Sequence, residues 1–201
     1  MKSIIVFSFF ISFLFNTSIF ANEATNWLSQ EIDIILQAYK NQDLPNENKF
    51  LMVEQTINNN FAGAGIAKFV SGNAWNSATK ETKKEYIKLF KRHLALNIAS
   101  MMQGYSNQNY SLINSRYDES SKVTLVDMLI HSDNNDIQVT WRLKKSKERF
   151  FVIDLLVADI SLVVTKRSEF NSMLKTVEYD LIEFNKKLSN QNEISYQKII
   201  N

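Results

Sequence analysis

Two histidines, two carboxylates inside apolar runs and one glycine pair are the residues of this chain whose type and spacing could support chemistry. His93 stands on a helical stretch beside Arg92 and His131 near a strand end, far apart and each without a partner at ligand spacing, so both read as surface or boundary histidines. Asp127 lies within Leu125-Val126-Asp127-Met128-Leu129 and Asp154 within Val152-Ile153-Asp154-Leu155-Leu156. A carboxylate in an apolar strand is costly unless it is paired or hydrogen-bonded. Either one could be a general base in an apolar pocket, or a structural acceptor bonded to Arg142, Arg167 or backbone amides. Gly63-Ala64-Gly65 lacks the third glycine and the preceding strand of a dinucleotide loop, and the pairs Lys83-Lys84 and Lys144-Lys145 read as solvated faces. Gly-x-Ser-x-Gly, a phosphate loop and His-Glu-x-x-His are all missing. Without cysteine there are no disulfides, thiolate zinc sites, cysteine nucleophiles, iron–sulfur clusters or lipidated N-terminal cysteine. Neither a metal nor a cofactor is expected.

The elements that must position these residues follow from hydrophobic period. Leu28, Ile32, Ile35, Leu36 and Tyr39 form one helical stripe, ended by a polar stretch holding the single proline, Pro45. Phe50, Val53, Ile57 and Phe61 form a second, and Ile66, Phe69 and Val70 a short third closed by Ser71-Gly72. Thr79 reads as an N-cap with Glu81 in the first turn, opening a long helix through Tyr86, Phe90, Leu94, Ile98, Met101, Met102 and Tyr105 with Gly104 as its stop. The period then changes. Residues 110–117, 122–131, 136–144 and 149–158 are short and rich in β-branched or aromatic residues, with Asp118-Glu119-Ser120-Ser121 and Asp133-Asn134-Asn135 as turns. Ile137, Val139, Trp141 and Leu143 alternate with polar residues, so that strand is wet on one face. Helical period returns at Leu162–Leu174 and at Tyr179–Leu188, and the polar end 189–201 reads as frayed as far as Ile199-Ile200. Helices, then a meander of four strands, then helices make an α+β domain with an antiparallel sheet.

Of 201 residues, 45% are hydrophobic and 22% charged, enough for one domain with a sizeable core and too few for two. The net charge of +2 argues against a nucleic-acid partner, which needs a basic face. Lys2, an apolar run from Ile4 to Phe15 and the small Ala21 have the form of a signal peptide cleaved before Asn22. An uncleaved anchor is the competing reading, but the run is short of the roughly 20 residues that span a bilayer. Losing the leader with its Lys2 leaves 22 basic against 21 acidic residues. The chain therefore divides into a leader 1–21, a folded unit 22–190 and a polar tail 191–201, and the mature protein is expected in the periplasm.

A family pattern runs through these elements. Phe61 and then Val70-Ser71-Gly72-Asn73-Ala74-Trp75-Asn76-Ser77-Ala78-Thr79, followed by Tyr86, Phe90 and Leu94, resemble its Gly-x-x-aromatic, its helix start and its aromatics four apart. Asp154-Leu155-Leu156-Val157-Ala158-Asp159-Ile160-Ser161-Leu162 leading into Lys166-Arg167-Ser168-Glu169-Phe170 resembles its Asp-x-x-x-Glu-Gly-x-Ser stretch and the motif that follows. The family is MlaC, also called the toluene-tolerance auxiliary family, and the resemblance covers about Gln30 to Leu188. Ala158-Asp159 replaces its Glu-Gly. Asp tolerates a positive φ better than most residues, so the turn is expected to survive, with Asp159 or Ser161 capping the next helix.

The resemblance implies a fold like that of nuclear transport factor 2, a curved antiparallel sheet covered by helices that enclose an apolar pocket for phospholipid. It implies a soluble carrier, not an enzyme, working between an outer-membrane lipoprotein–porin complex and an inner-membrane ABC transporter bearing an MCE-domain protein. A monomer is expected. Lipid is expected to contact Val139 and Trp141 together with Leu125, Val152, Leu156 and Val163, and the helix residues Ile98, Met101, Met102 and Phe170 are expected to close the pocket. Asp154 shares strand parity with Val152 and Leu156, which puts a carboxylate on the same side. Two other readings stand beside this one: a small cavity enzyme using Asp127 or Asp154 as base, and an interaction protein whose pocket is filled by its own side chains.

Overall fold

The computed structural model describes residues 16–104, 109–131 and 136–201. Most of the leader, Tyr105 and the Asp133-Asn134-Asn135 turn lie outside them. Five helices come first: α1 (Asn16–Lys40), α2 (Asn46–Asn60), α3 (Gly63–Ser71), the single turn α4 (Ala74–Ser77) and α5 (Lys80–Met102). Strands β1 (Tyr110–Asp118), β2 (Val123–Ile130), β3 (Ile137–Ser146), β4 (Arg149–Val157) and the short β5 (Ile160–Ser161) then form one open antiparallel sheet in sequence order. Helices α6 (Leu162–Lys175) and α7 (Leu181–Ile200) complete an α+β domain. None of the helices among the described residues is long and apolar enough to cross a membrane.

The sequence signals act where expected at α5: the Thr79 hydroxyl accepts the Thr82 amide at 3.2 Å and Glu81 sits in the first turn. Two elements are longer than periodicity indicates. α1 begins at Asn16 and runs unbroken through Ala21 and Asn22, with Ala21, Ala24 and Leu28 buried. The polar end of the chain, expected to fray, is the second half of α7. Asn185 and Asn192, seven residues apart, donate to the carbonyls of Thr82 and Leu89, also seven apart. Two buried amides thus lock α7 alongside α5 in parallel, and polarity along this helix marks an interhelical register, not solvent.

Sheet register decides which side chains meet. One face carries Leu112, Val126, Met128, Val139, Trp141, Leu143 and Leu155, and α1 lies across it: Tyr110 bonds Asp33 at 2.8 Å and Lys145 bonds Glu23 at 2.8 Å. The opposite face carries Arg116, Leu125, Asp127, Thr140, Arg142, Asp154 and Leu156. Between them β4 has a bulge: Leu143 pairs with Val152 and Arg142 with Asp154, leaving Ile153 unpaired. One extra residue reverses parity. The strict alternation expected of β4 therefore fails. Val152 points toward α1, whereas Asp154 and Leu156 point away.

After β4 the chain turns on Ala158 (φ 47°) and Asp159 (φ 64°), both left-handed. Asp159 tolerates this locally, but Ala158 has no polar side chain to compensate. Ser161 then caps α6, accepting the Val164 amide at 3.1 Å. Replacing Ala158 by glycine should relieve the turn and stabilise the protein by about 1 kcal/mol, measured as the shift in urea midpoint against wild type. A destabilised Ala158→Gly protein would show that the turn carries no strain.

Candidate functional site

The apolar interior is divided into three clusters. The first joins α3, α5, α6 and α7 around Tyr86, Phe90, Phe170 and Phe184. The second joins α2, α5 and α7 around Phe50, Val53, Ile57 and Leu96. The third joins α1 to the sheet through Ala24, Leu28, Val126, Leu143, Phe150 and Val152. One side chain packs against all three, that of Phe61. Its backbone ends α2, bridges Val152 in parallel, and is followed by the Ala62 amide donating to the Val152 carbonyl at 2.9 Å. Other side chains at the margins of these clusters are also only half-buried: Leu94 and Ile98 from α5, Trp141 and Leu155 from the sheet, Val163 from α6. The Trp141 indole Nε1 is buried with no hydrogen-bond partner among the described residues. A domain of this size ordinarily closes one contiguous core. Here the seam between clusters is apolar, incompletely packed and furnished with an unused donor.

Phe61 also surfaces in an open cavity of about 450 Å³. Phe61, Phe151 and Ile153 make its apolar lining, the Gly63-Ala64-Gly65 turn that starts α3 makes one wall, and Lys91 and Lys144 complete it with Ser146. Glycine pair and lysine thus come together, although the sequence reading set both aside. A second hollow of about 890 Å³ runs between α5 and α7 and is lined mainly by polar residues, among them Glu85, Arg92 and Glu193.

The ten residues expected to line a pocket do not share one surface. Val139, Trp141 and Val152 lie together on the α1 face of the sheet, with Val139 and Val152 fully buried. Leu125 and Leu156 lie on the other face beside Arg142 and Thr140, so no single face holds all five strand residues. Ile98 reaches the seam and Met102, one turn on, is half-buried, but Met101 is 67% exposed and points to solvent. Val163 packs at the margin of the first cluster, and Phe170 is at its centre, edge-on to Phe90, His93 and Phe184 with ring centroids 5.3–5.6 Å apart. Phe61 was missed as a site residue because its stripe reads simply as the end of a helix. The break at Asn58-Asn59-Asn60 just before it was the available signal.

Both buried carboxylates are occupied. Asp154, 3% exposed, accepts from the amides of Leu155 (2.9 Å) and Val163 (3.1 Å), from the Ser161 hydroxyl (2.7 Å) and from Arg142 (3.3 Å). It thereby ties β4 to the start of α6, where a negative charge is favourable. Asp127 accepts from Thr140 at 2.7 Å and from Arg116. With their acceptor positions so used, both are structural acceptors, not free bases.

His131 is the half-exposed boundary residue expected, and His93 is not. His131 does have partners: Ser111 Oγ at 2.9 Å from Nε2 and Asp136 at 3.2 Å from Nδ1, brought in by cross-strand register. The connectivity is that of an acyl-transfer relay, but it lies half in solvent and neither cavity reaches it. His93 is buried, not on the boundary. Burial, with the Lys166 charge adding to it, lowers its pKa to about 4.

The chain shows the architecture of a sheet-and-helix domain with a partly open apolar interior. A family model described as MlaC protein matches residues 28–189, and the chain belongs to that family. Among solved structures it is similar to the phospholipid-binding protein from Ralstonia solanacearum determined in complex with a phospholipid, at 16% identity and a TM-score of 0.70, covering 84% of this chain and 96% of that one. No curated protein sequence matches the chain.

The buried His93 has a measurable consequence. Below its ordinary pKa of 6.5 the unfolded chain takes up a proton that the folded protein refuses until about pH 4. Stability is therefore full above pH 6.5 and falls across that window, by up to roughly 3 kcal/mol from this group. Urea unfolding of wild type and His93→Gln at several pH values checks it: the variant should lose this part of the slope. Equal slopes would place the acid sensitivity elsewhere.

Proposed function

We propose that this protein is a soluble phospholipid carrier. The observation that carries the reading is the apolar seam around Phe61, half-buried where a finished core would be closed. A lipid tail crossing water needs each methylene shielded, at about 0.8 kcal/mol apiece. Such a task calls for a shaped apolar space and no reaction. Trp141 Nε1, buried and unpaired among the described residues, is a donor that a ligand's ester carbonyl would satisfy. Membership of the MlaC family and the phospholipid in the Ralstonia solanacearum protein support the same reading. Asp127 is engaged by Thr140 and Arg116, Asp154 by two amides, Ser161 and Arg142, and neither lines either cavity, which speaks against a cavity enzyme built on either.

In this account the leader is removed before Asn22 and the protein works in the periplasm as a monomer. It exchanges lipid between an outer-membrane lipoprotein–porin complex and an inner-membrane ABC transporter with an MCE-domain protein, as part of a system that maintains lipid asymmetry and solvent tolerance. Because burial would otherwise hold the lipid, release falls to those partners. Ala24 and Leu28, which pack α1 against the sheet, both follow the cleavage point.

Native mass spectrometry of the gently extracted protein tests the reading, with a two-chain phospholipid expected to copurify. Two matched variants locate it. Leu155→Asp, on the half-buried inner face, should abolish copurification, because an unpaired carboxylate among acyl chains is too costly. Leu125→Asp, equally half-buried on the outer face, should retain it. A ligand-free wild type, or lipid held by a folded Leu155→Asp protein, would contradict the proposal.

A further inference from the structure

We propose that the cavity over Phe61 is a seat for a phosphate group, held by Lys91 and Lys144. Its lining carries two ammonium groups and no carboxylate. The Lys91 stem lies directly on Gly63, where a Cβ would meet its Cγ at 2.8 Å, so glycine is what allows this lysine to cross the start of α3. Its ammonium spends one proton on the Asn58 carbonyl at 3.2 Å and keeps two. Lys144 is exposed, and its ammonium makes no hydrogen bond or ion pair among the described residues. A third cation stands close by, the Arg149 guanidinium stacked 5.4 Å from the centre of the Phe151 ring.

Two uncompensated ammonium groups at one hollow repel each other, and an anion between them removes that repulsion while gaining charge-assisted hydrogen bonds. The opening of α3 fits the same ligand: it has no side-chain cap, and its first three residues line the cavity. The floor is apolar, and its central residue, Phe61, is the one that borders the seam on its far side. A phosphate bound at the lysines therefore stands above a route to the apolar interior, with a single ring between head and tails. The volume suits a headgroup and its glycerol, not acyl chains. The phosphate could belong to a lipid or be free. Its assignment to a lipid rests on the carrier reading, but the seat itself does not.

The test uses delipidated mature protein and three probes in calorimetric titration: dihexanoyl phosphatidylglycerol, dihexanoylglycerol, which has the same tails without phosphate, and inorganic phosphate. Lys91→Gln/Lys144→Gln should weaken the phosphatidylglycerol analogue at least about tenfold, the loss of one charge-assisted bond or more, and leave dihexanoylglycerol unchanged. Lys144→Gln alone, at an exposed strand position that cannot disturb folding, should weaken it several-fold. If both variants bind the phosphatidylglycerol analogue as wild type does, the seat is overturned while the carrier reading stands. If wild type binds inorganic phosphate through these lysines but takes up neither diacyl probe, the seat stands and the carrier reading fails. Wild type that binds neither phosphate-bearing probe overturns the seat.

Discussion

Phe61 is held by its backbone to the middle of β4 and by its side chain to all three apolar clusters. The bridge to Val152 ends α2 at the sheet, and the bond from Ala62 to the same residue starts α3 from there. Two helices are thus hinged on a strand edge that β5 leaves uncovered, since β5 pairs only with Leu156 and Val157. From this point the ring faces three apolar clusters, none of which merges with another. A domain organised in this way does not bury its interior by packing one layer on another. It closes it around one side chain, and the half-buried residues nearby follow from that arrangement.

The bulge at Ile153 does the complementary work on the sheet. By reversing parity within β4 it gives Val152 to the apolar face and Asp154 to the polar one. Had the strand been regular, the carboxylate would have shared the side of the seam. Instead Asp154 collects the amides that open α6, and the tight left-handed turn at Ala158-Asp159 brings that helix back within reach. Charge separation across the sheet, the entry of α6 and the position of Val163 are consequences of one inserted residue.

Much of the fold is legible in the residues themselves. Ile137, Val139, Trp141 and Leu143 alternate as a half-wet strand must, and Thr79 caps α5 as its type and position indicate. The family pattern from Phe61 to Phe170 points to the same architecture. What is not legible depends on long-range register. No glycine marks the bulge at Ile153, so the separation of Leu156 from Val152 is invisible along the chain. The Asn185 and Asn192 amides look like solvent-facing polarity until α5 supplies the carbonyls they meet. Met101 and Met102 differ by one residue in sequence and by a third of a helical turn in space, which puts one of them in water. The glycine pair and Lys144 gain meaning only when the fold brings them to one cavity.

The central claim is that lipid enters the seam behind Phe61 and not the outer face of the sheet. Photo-crosslinking in cells addresses it directly, with benzoylphenylalanine placed at position 61 in one protein and at position 125 in another. Phospholipid attached at position 61 and absent at position 125 is the result this account predicts. Lipid captured at position 125 and none at position 61, with both proteins folded, would contradict it.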